Sequence, residues 1–232
     1  MLDHRGVYYM NNSSIFGNLT KTLTKSVLIL TFIALVTGLG AADTLEVGPS
    51  DSDAQFNSIQ EAIDNAVPED EVVVSQGTYD EVIRTSVEDI TVVAPNGATI
   101  SPSQDTINDA GRERVVDLGG DSNGYSNVEF SGFEVVGPGE DTEWVGITVT
   151  GENNRVVNND VSEVSTGIQT SSGGTSGAVI EENNVEDVQY GISVQSSDAE
   201  VRENEVSSAS TEGFGVRADK TGNVFEDNSV SG

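Results

Sequence analysis

Cysteine is absent from the 232 residues. That excludes disulfides, thiolate metal sites and Cys-His dyads. The single histidine is His4, and both methionines, Met1 and Met10, also stand near the start. Ser-His triads, zinc sites built on His or Cys, and ordinary copper sites are therefore excluded from the body of the chain. Positive charge is scarce as well. Ten Lys and Arg stand against 39 Asp and Glu, a net charge of −29. Nucleic acid is not an expected partner, because phosphate binding needs basic patches. Beyond residue 42 the only lysine is Lys220. A chain this acidic and lysine-poor has the composition of one adapted to multimolar salt. The Debye length falls to about 3 Å at 1 M, so self-repulsion is screened there. Disorder is the competing explanation of high charge, and the regular Val/Ile register described below argues against it.

One long apolar run is present. Ser26 to Gly40 carries no charge, follows Lys21 and Lys25, and precedes Ala41-Ala42-Asp43. A basic flank, a short apolar core and small residues predict a secretory signal peptide over residues 1–42, cleaved after Ala42. The run is short for a spanning helix, which needs about 20 residues. An uncleaved anchor is the alternative, and Met10 is a second candidate start. The expected mature domain is 43–232, secreted or held at the cell surface.

Within it a repeat can be laid in register. Gly146-Ile147-Thr148-Val149, Gly167-Ile168-Gln169-Thr170, Gly191-Ile192-Ser193-Val194 and Gly215-Val216-Arg217-Ala218 form one set. Each is followed by an Asn-x-Val marker: Asn159-Asp160-Val161, Asn183-Asn184-Val185, Asn204-Glu205-Val206 and Asn228-Ser229-Val230. Repeats of this length mean stacked supersecondary units. Three short Val/Ile strands broken by Gly and Asn make one coil of a parallel β-helix, and the chain has room for roughly six to seven coils. Val156, Ile180, Val201 and Phe225 form one inward column; Val161, Val185, Val206 and Val230 form another. The Asn column is expected at a sharp, left-handed turn. Ahead of the coils, Ile59, Ala62, Ile63 and Ala66 share one face of a helix capped by Asn57 or Ser58 and closed near Pro68. It is expected to lid the open first coil. Residues 101–114 read as a loop excursion. Extra residues fall at Pro138 to Trp144, at Gly173-Gly174-Thr175, and between Ser207 and Glu212. The chain stops just after an Asn-x-Val marker. This leads us to expect either end-to-end self-association or a β-helix truncated at its C-terminus.

The segment Phe56 to Ile63, followed by Val72-Val73-Val74 and Gly77-Thr78-Tyr79-Asp80-Glu81, resembles the opening of pectin-lyase-like right-handed β-helix proteins. The Gly-Ile and Asn-x-Val coils look like the repeats of carbohydrate-active β-helix proteins and of the NosD copper-maturation domain. The resemblance implies an all-β fold, a single-stranded right-handed parallel β-helix with a short N-terminal capping helix. It fixes no activity, because this fold hosts lyases, hydrolases, esterases, epimerases and non-enzymes. The Gly-His-Gly motif of polygalacturonase-like hydrolases is missing. Pectin methylesterases share the opening, including Gly77-Thr78-Tyr79-x-Glu81, but their later catalytic Asp segments find no match. Copper handling lacks ligands.

Several columns are candidate sites. Thr148, Gln169, Ser193 and Arg217 form a polar exposed column, with Thr150, Ser171, Gln195 and Asp219 beside it. Such a face can hydrogen-bond a saccharide lying along the axis; a plain solvated sheet is the alternative. Val145, Thr166, Tyr190 and Phe214, with Trp144 adjacent, offer sugar-stacking surface or simple ladder packing. Tyr190 and Phe214 are expected to stack. Glu182, Glu203 and Asp227 stack carboxylates about 4.8 Å apart. Calcium is the cation they would take, against the reading of a solvated acidic face; no other cofactor is expected. Beside them, Glu181, Arg202 and Glu226 alternate in sign as an ion-pair ladder. The leading expectation is a non-catalytic protein contacting polysaccharide or surface glycan along this sheet. The alternative is a polysaccharide lyase using Arg217 and Asp219.

Overall fold

The computed structural model describes residues 42–231, except 51, 112, 121–123, 140–142, 208 and 217–219. All but the last residue of the expected leader lies outside this set. So do both lyase candidates, Arg217 and Asp219.

All seventeen strands pair in parallel. They wind into about seven coils with three faces. The first sheet holds the Gly-Ile strands and runs from Ile83–Arg84 through Arg114–Leu118 and Val145–Val149 to the later coils. The second runs from Thr44–Val47 to Val224–Glu226. The third runs from Thr78–Tyr79 to Ser229–Ser231.

Alternation puts one residue in two inside. On the second sheet, Val72, Val92, Phe130, Val156, Ile180 and Val201 stack in register and are all buried. Tyr79, Ile100, Val135, Val161, Val185 and Val206 do the same on the third. Ile83, Val116, Ile147, Ile168 and Ile192 do so on the first. Each such side chain contributes about 1.5–3 kcal/mol when fully buried. Phe130 and Phe133 stack with ring centroids 4.3 Å apart.

The corner between the second and third sheets is where strand hydrogen bonding must be interrupted. Asn159, Asn183, Asn204 and Asn228 bridge it. In the first three the side-chain Nδ2 donates to the next coil's Oδ1, at 3.0, 2.9 and 2.9 Å in turn. That Oδ1 also accepts a backbone N–H from the coil before, as from Asn159 N to Asn183 Oδ1 at 3.0 Å. Each Nδ2 also donates to a carbonyl, as Asn183 does to Val156 O at 2.9 Å. The left-handed residue is not the asparagine but the one before it: Asn158, Glu182, Glu203 and Asp227, with φ of 54, 56, 56 and 52°.

The capping helix is Ile59–Asn65, with Ile59, Ala62 and Ile63 buried. Ser58 Oγ accepts from Glu61 N at 3.2 Å. The Glu81 carboxylate accepts from Ser58 Oγ, Ile59 N and Gln60 N at 2.8, 3.0 and 2.9 Å. An anion there suits the free N–H groups of a helix start. Residues 101–114 are more than a loop. They hold a second helix, Gln104–Ala110, capped by Ser103 and ended by Gly111 at φ 66°. Asp80 anchors it by accepting from Ser103 N and Thr106 Oγ1. The Ser103 backbone bond foremost, with the side-chain bonds, holds the Asp80 carboxyl below its ordinary value.

Candidate site on the first sheet

The outward-facing column of the first sheet is longer than the repeat alone indicates. Register places Arg84 beside Asp117, Asp117 beside Thr148, Thr148 beside Gln169, Gln169 beside Ser193, and Ser193 beside Gly215. The sequence reading aligned Gly215 with Gly191 and so put Arg217 in this column. Gly213 is the true counterpart of Gly191: a Cβ on Gly191 would collide with the Gly213 carbonyl oxygen. Phe214 then falls in the Ile192 column. The insertion in that coil is one residue, a bulge between Ala209 and Glu212. The place beside Ser193 in this column is thus held by Gly215, and Arg217 lies outside the described residues.

Arg84 is the arginine that this face does carry, with Arg114 three residues before Asp117. Asp117 is 3 % exposed, and its Oδ2 lies 3.1 Å from Arg114 Nη1. A carboxylate this deep is held by cationic hydrogen-bond donors rather than by water. Thr148 is only 1 % exposed, although it faces outward, and its Oγ1 has no hydrogen-bond partner among the described residues. Gln169 and Ser193 are half-buried.

Gln60 ties the capping helix to this column. Its Oε1 accepts from Arg84 N at 2.7 Å, and its Nε2 donates to Arg84 O at 2.9 Å. Gln60, Val82, Ile83, Arg84, Ala110, Arg114 and Asp117 line a cleft of 270 Å³. A second cleft of 360 Å³ lies across Arg114 toward Gln169, bordered by Glu113 and Glu143. A 400 Å³ groove over the third sheet is larger, but its ionisable lining is acidic, Glu134 and Asp160. Neither ionisable lining residue is a cation, whereas the first sheet puts the Arg114 guanidinium 3.1 Å from the buried Asp117 carboxylate, with Arg84 beside Asp117 in register.

The remaining candidates separate. Trp144 is 8 % exposed and belongs to the hydrophobic core, so its ring is not a sugar platform. Tyr190 is 40 % exposed, but its neighbour in register is Glu212. Phe214 meets Phe225 edge-on at 6.3 Å, and the expected Tyr190–Phe214 stack does not form. Glu182, Glu203 and Asp227 are exposed at the left-handed turn. Among the described residues no group of three or more His, Cys, Asp or Glu is placed to hold a metal ion. These carboxylates do not converge because a turn residue points away from the coil into solvent. The ion-pair ladder is present in part: Glu181 and Arg202 pair as expected, but their neighbours in it are Glu129, Arg155 and Glu200 rather than Glu226, with contacts of 3.1 Å for Glu129–Arg155, 3.5 Å for Arg155–Glu181, 2.7 Å for Glu181–Arg202 and 2.9 Å for Arg202–Glu200. The Arg202 hydrogen bond is the main reason the Glu181 carboxyl is held below its ordinary value.

Residues 74–230 match the right-handed β-helix region family. The chain belongs to that family. No curated protein sequence matches it. Two solved structures of the pectin methylesterase from Aspergillus niger are similar to this β-helix protein. One is penultimately deglycosylated and one deglycosylated, with TM-scores of 0.43 and 0.42. Each is 12 % identical and covers 84 % of this chain and 86 % of its own. Sequence reasoning found the fold of this family but missed Arg84, Arg114 and Asp117. The signal was present as Ile83-Arg84 and Val116-Asp117-Leu118, each an outward polar residue beside an inward aliphatic one. The helix between them hid the period.

Proposed function

We propose that this β-helix protein binds an acidic polysaccharide on its first sheet, outside the cell and in concentrated salt. The observation that carries the reading is the pair of Arg114 with the buried Asp117, with Arg84 beside Asp117 in register and in the same cleft, at the head of a polar column. Guanidinium groups recognise carboxylates in a planar, often paired geometry. The partly exposed apolar side chains of Val82 and Ala110 beside them suit the C–H face of a sugar ring. The half-buried Gln169 and Ser193 continue the polar surface along the axis beyond the buried Thr148. The excess negative charge of the protein opposes an acidic ligand in dilute buffer, and salt screens that opposition.

Calorimetric titration in about 2 M KCl, where the Debye length is a few ångströms, with polygalacturonate, alginate and a neutral mannan tests this. Binding of the acidic polymers, weakened about tenfold by Arg114→Ala, is expected; tenfold is about 1.4 kcal/mol. Absence of binding across the panel overturns it.

A second reading, a carbohydrate-active enzyme, is favoured by the same carboxylate. Asp117 beside an arginine has the makings of a general base or nucleophile. The lyase pair then shifts from Arg217 and Asp219 to Arg84 and Asp117. Unsaturated products, new reducing ends or released ester groups in the same incubation, lost in Asp117→Asn, would establish it.

A further inference from the structure

The column bearing Arg84 has an end. Ile83–Arg84 is the first strand of the first sheet, and its one partner in that sheet is Arg114–Leu118. On its other side the capping helix takes the place of a strand. Gln60 of that helix holds the Arg84 peptide by both its N–H and its carbonyl, at 2.7 and 2.9 Å. Glu81 fixes the start of the same helix through three hydrogen bonds. The second helix adds Ala110 to the wall. The cleft is thus bounded by two helices on one side and opens along the sheet on the other. Its 270 Å³ lies just below the range for drug-sized ligands, and gives room for one sugar ring. At its inner wall stand Arg84, Arg114 and Asp117, with the unpartnered Thr148 Oγ1 next in the column.

Resting on the polysaccharide reading above, we propose that this cleft takes the terminal residue of the chain, a carboxylate-bearing sugar, and not an internal stretch. A chain passing straight through would have to run into Gln60 and the capping helix. A chain that stops there places its last ring over Val82 and Ala110. Its charge lies beside the two guanidinium groups, and the rest of the chain runs out over Gln169.

Trigalacturonate and polygalacturonate, titrated into the full protein in the same KCl buffer, distinguish the two modes. For end recognition the trisaccharide binds one to one. The polymer saturates in proportion to its concentration of chains, not of sugar units. Ala110→Trp, which fills the cleft from its helical wall, lowers trisaccharide affinity at least tenfold, whereas Val224→Ala, at an exposed position on the second sheet, leaves it unchanged. Saturation by polymer in proportion to sugar units overturns end recognition and leaves polysaccharide binding standing. Failure of both ligands to bind overturns both. The stoichiometry is read on the unmodified protein, so the test holds even if Ala110→Trp does not fold.

Discussion

Asn183 shows what a single side chain does at the corner between the second and third sheets. Its amide takes part in four hydrogen bonds: to Asn204 Oδ1, to Val156 O, and from both nitrogens of Asn159. Asn183→Ala leaves buried backbone and amide groups unsatisfied, each at about 1–3 kcal/mol. We expect denaturant unfolding to report a loss of about 3 kcal/mol or more. Asn228→Ala, at a half-buried site in the last coil, should cost less. Thr148 offers the opposite case. Its buried hydroxyl lacks a partner, so Thr148→Val keeps the branched shape and removes an unsatisfied group. That change should raise stability by about 1 kcal/mol and leave saccharide binding unchanged, because the hydroxyl is closed off from a ligand; a loss of stability in denaturant unfolding would show that the hydroxyl is satisfied. Of these two residues the sequence made Asn183 plain and misjudged Thr148. An asparagine recurring at a fixed place announces a backbone need. The burial of an outward threonine depends on Asp117, a neighbour 31 positions away whose register was hidden. The left-handed glutamates were unreadable for a related reason. Glutamate has no preference for that conformation, which the asparagine following it imposes.

At the scale of the element, the ion-pair row on the second sheet has a calculable response to pH. Glu181 is held below its ordinary value of 4.5, first by its hydrogen bond to Arg202. A carboxyl lowered in the folded state adds stability that is complete above its unfolded value and is lost as pH falls through its folded one. The stability gap between the unmodified protein and Glu181→Gln should therefore be widest near neutrality and close as the pH drops below 4.5. Thermal melts at a series of pH values check it, and a gap that is constant with pH would show that the pair contributes nothing through charge. The row is half-exposed, so the effect is modest and shrinks with salt. Elements were legible in proportion to their regularity. The capping helix announced itself by its apolar face and its Ser58 cap. The helix Gln104–Ala110 did not, since none of its residues is fully buried and it carries no apolar stripe. The last Gly-Ile strand was misaligned by two residues for a sharper reason. A shift of two preserves which side chains face inward, and Gly213 and Gly215 offer the same local pattern. Only the match of Gly213 to Gly191 across the coils decides it.

Over the whole molecule, the net charge of −29 sets a salt dependence that no single pair controls. We expect the melting temperature to rise between about 0.1 and 2 M KCl, as screening shortens from roughly 10 Å to a few ångströms. A flat response would show that self-repulsion does not limit this fold. Fold class was legible from residue 128 onward because three inward columns repeat almost without interruption. The head of the candidate site was not, because it lies in the earlier coils that the second helix interrupts. The asparagine row has a consequence for how such a molecule can grow. Every amide points the same way, oxygen toward the preceding coil and N–H toward the following one. Each junction is therefore alike, and a coil needs to fit only the one before and the one after. A spare copy of one turn can be spliced between two others without altering either. Lineages of these proteins are thus free to change their length by whole turns.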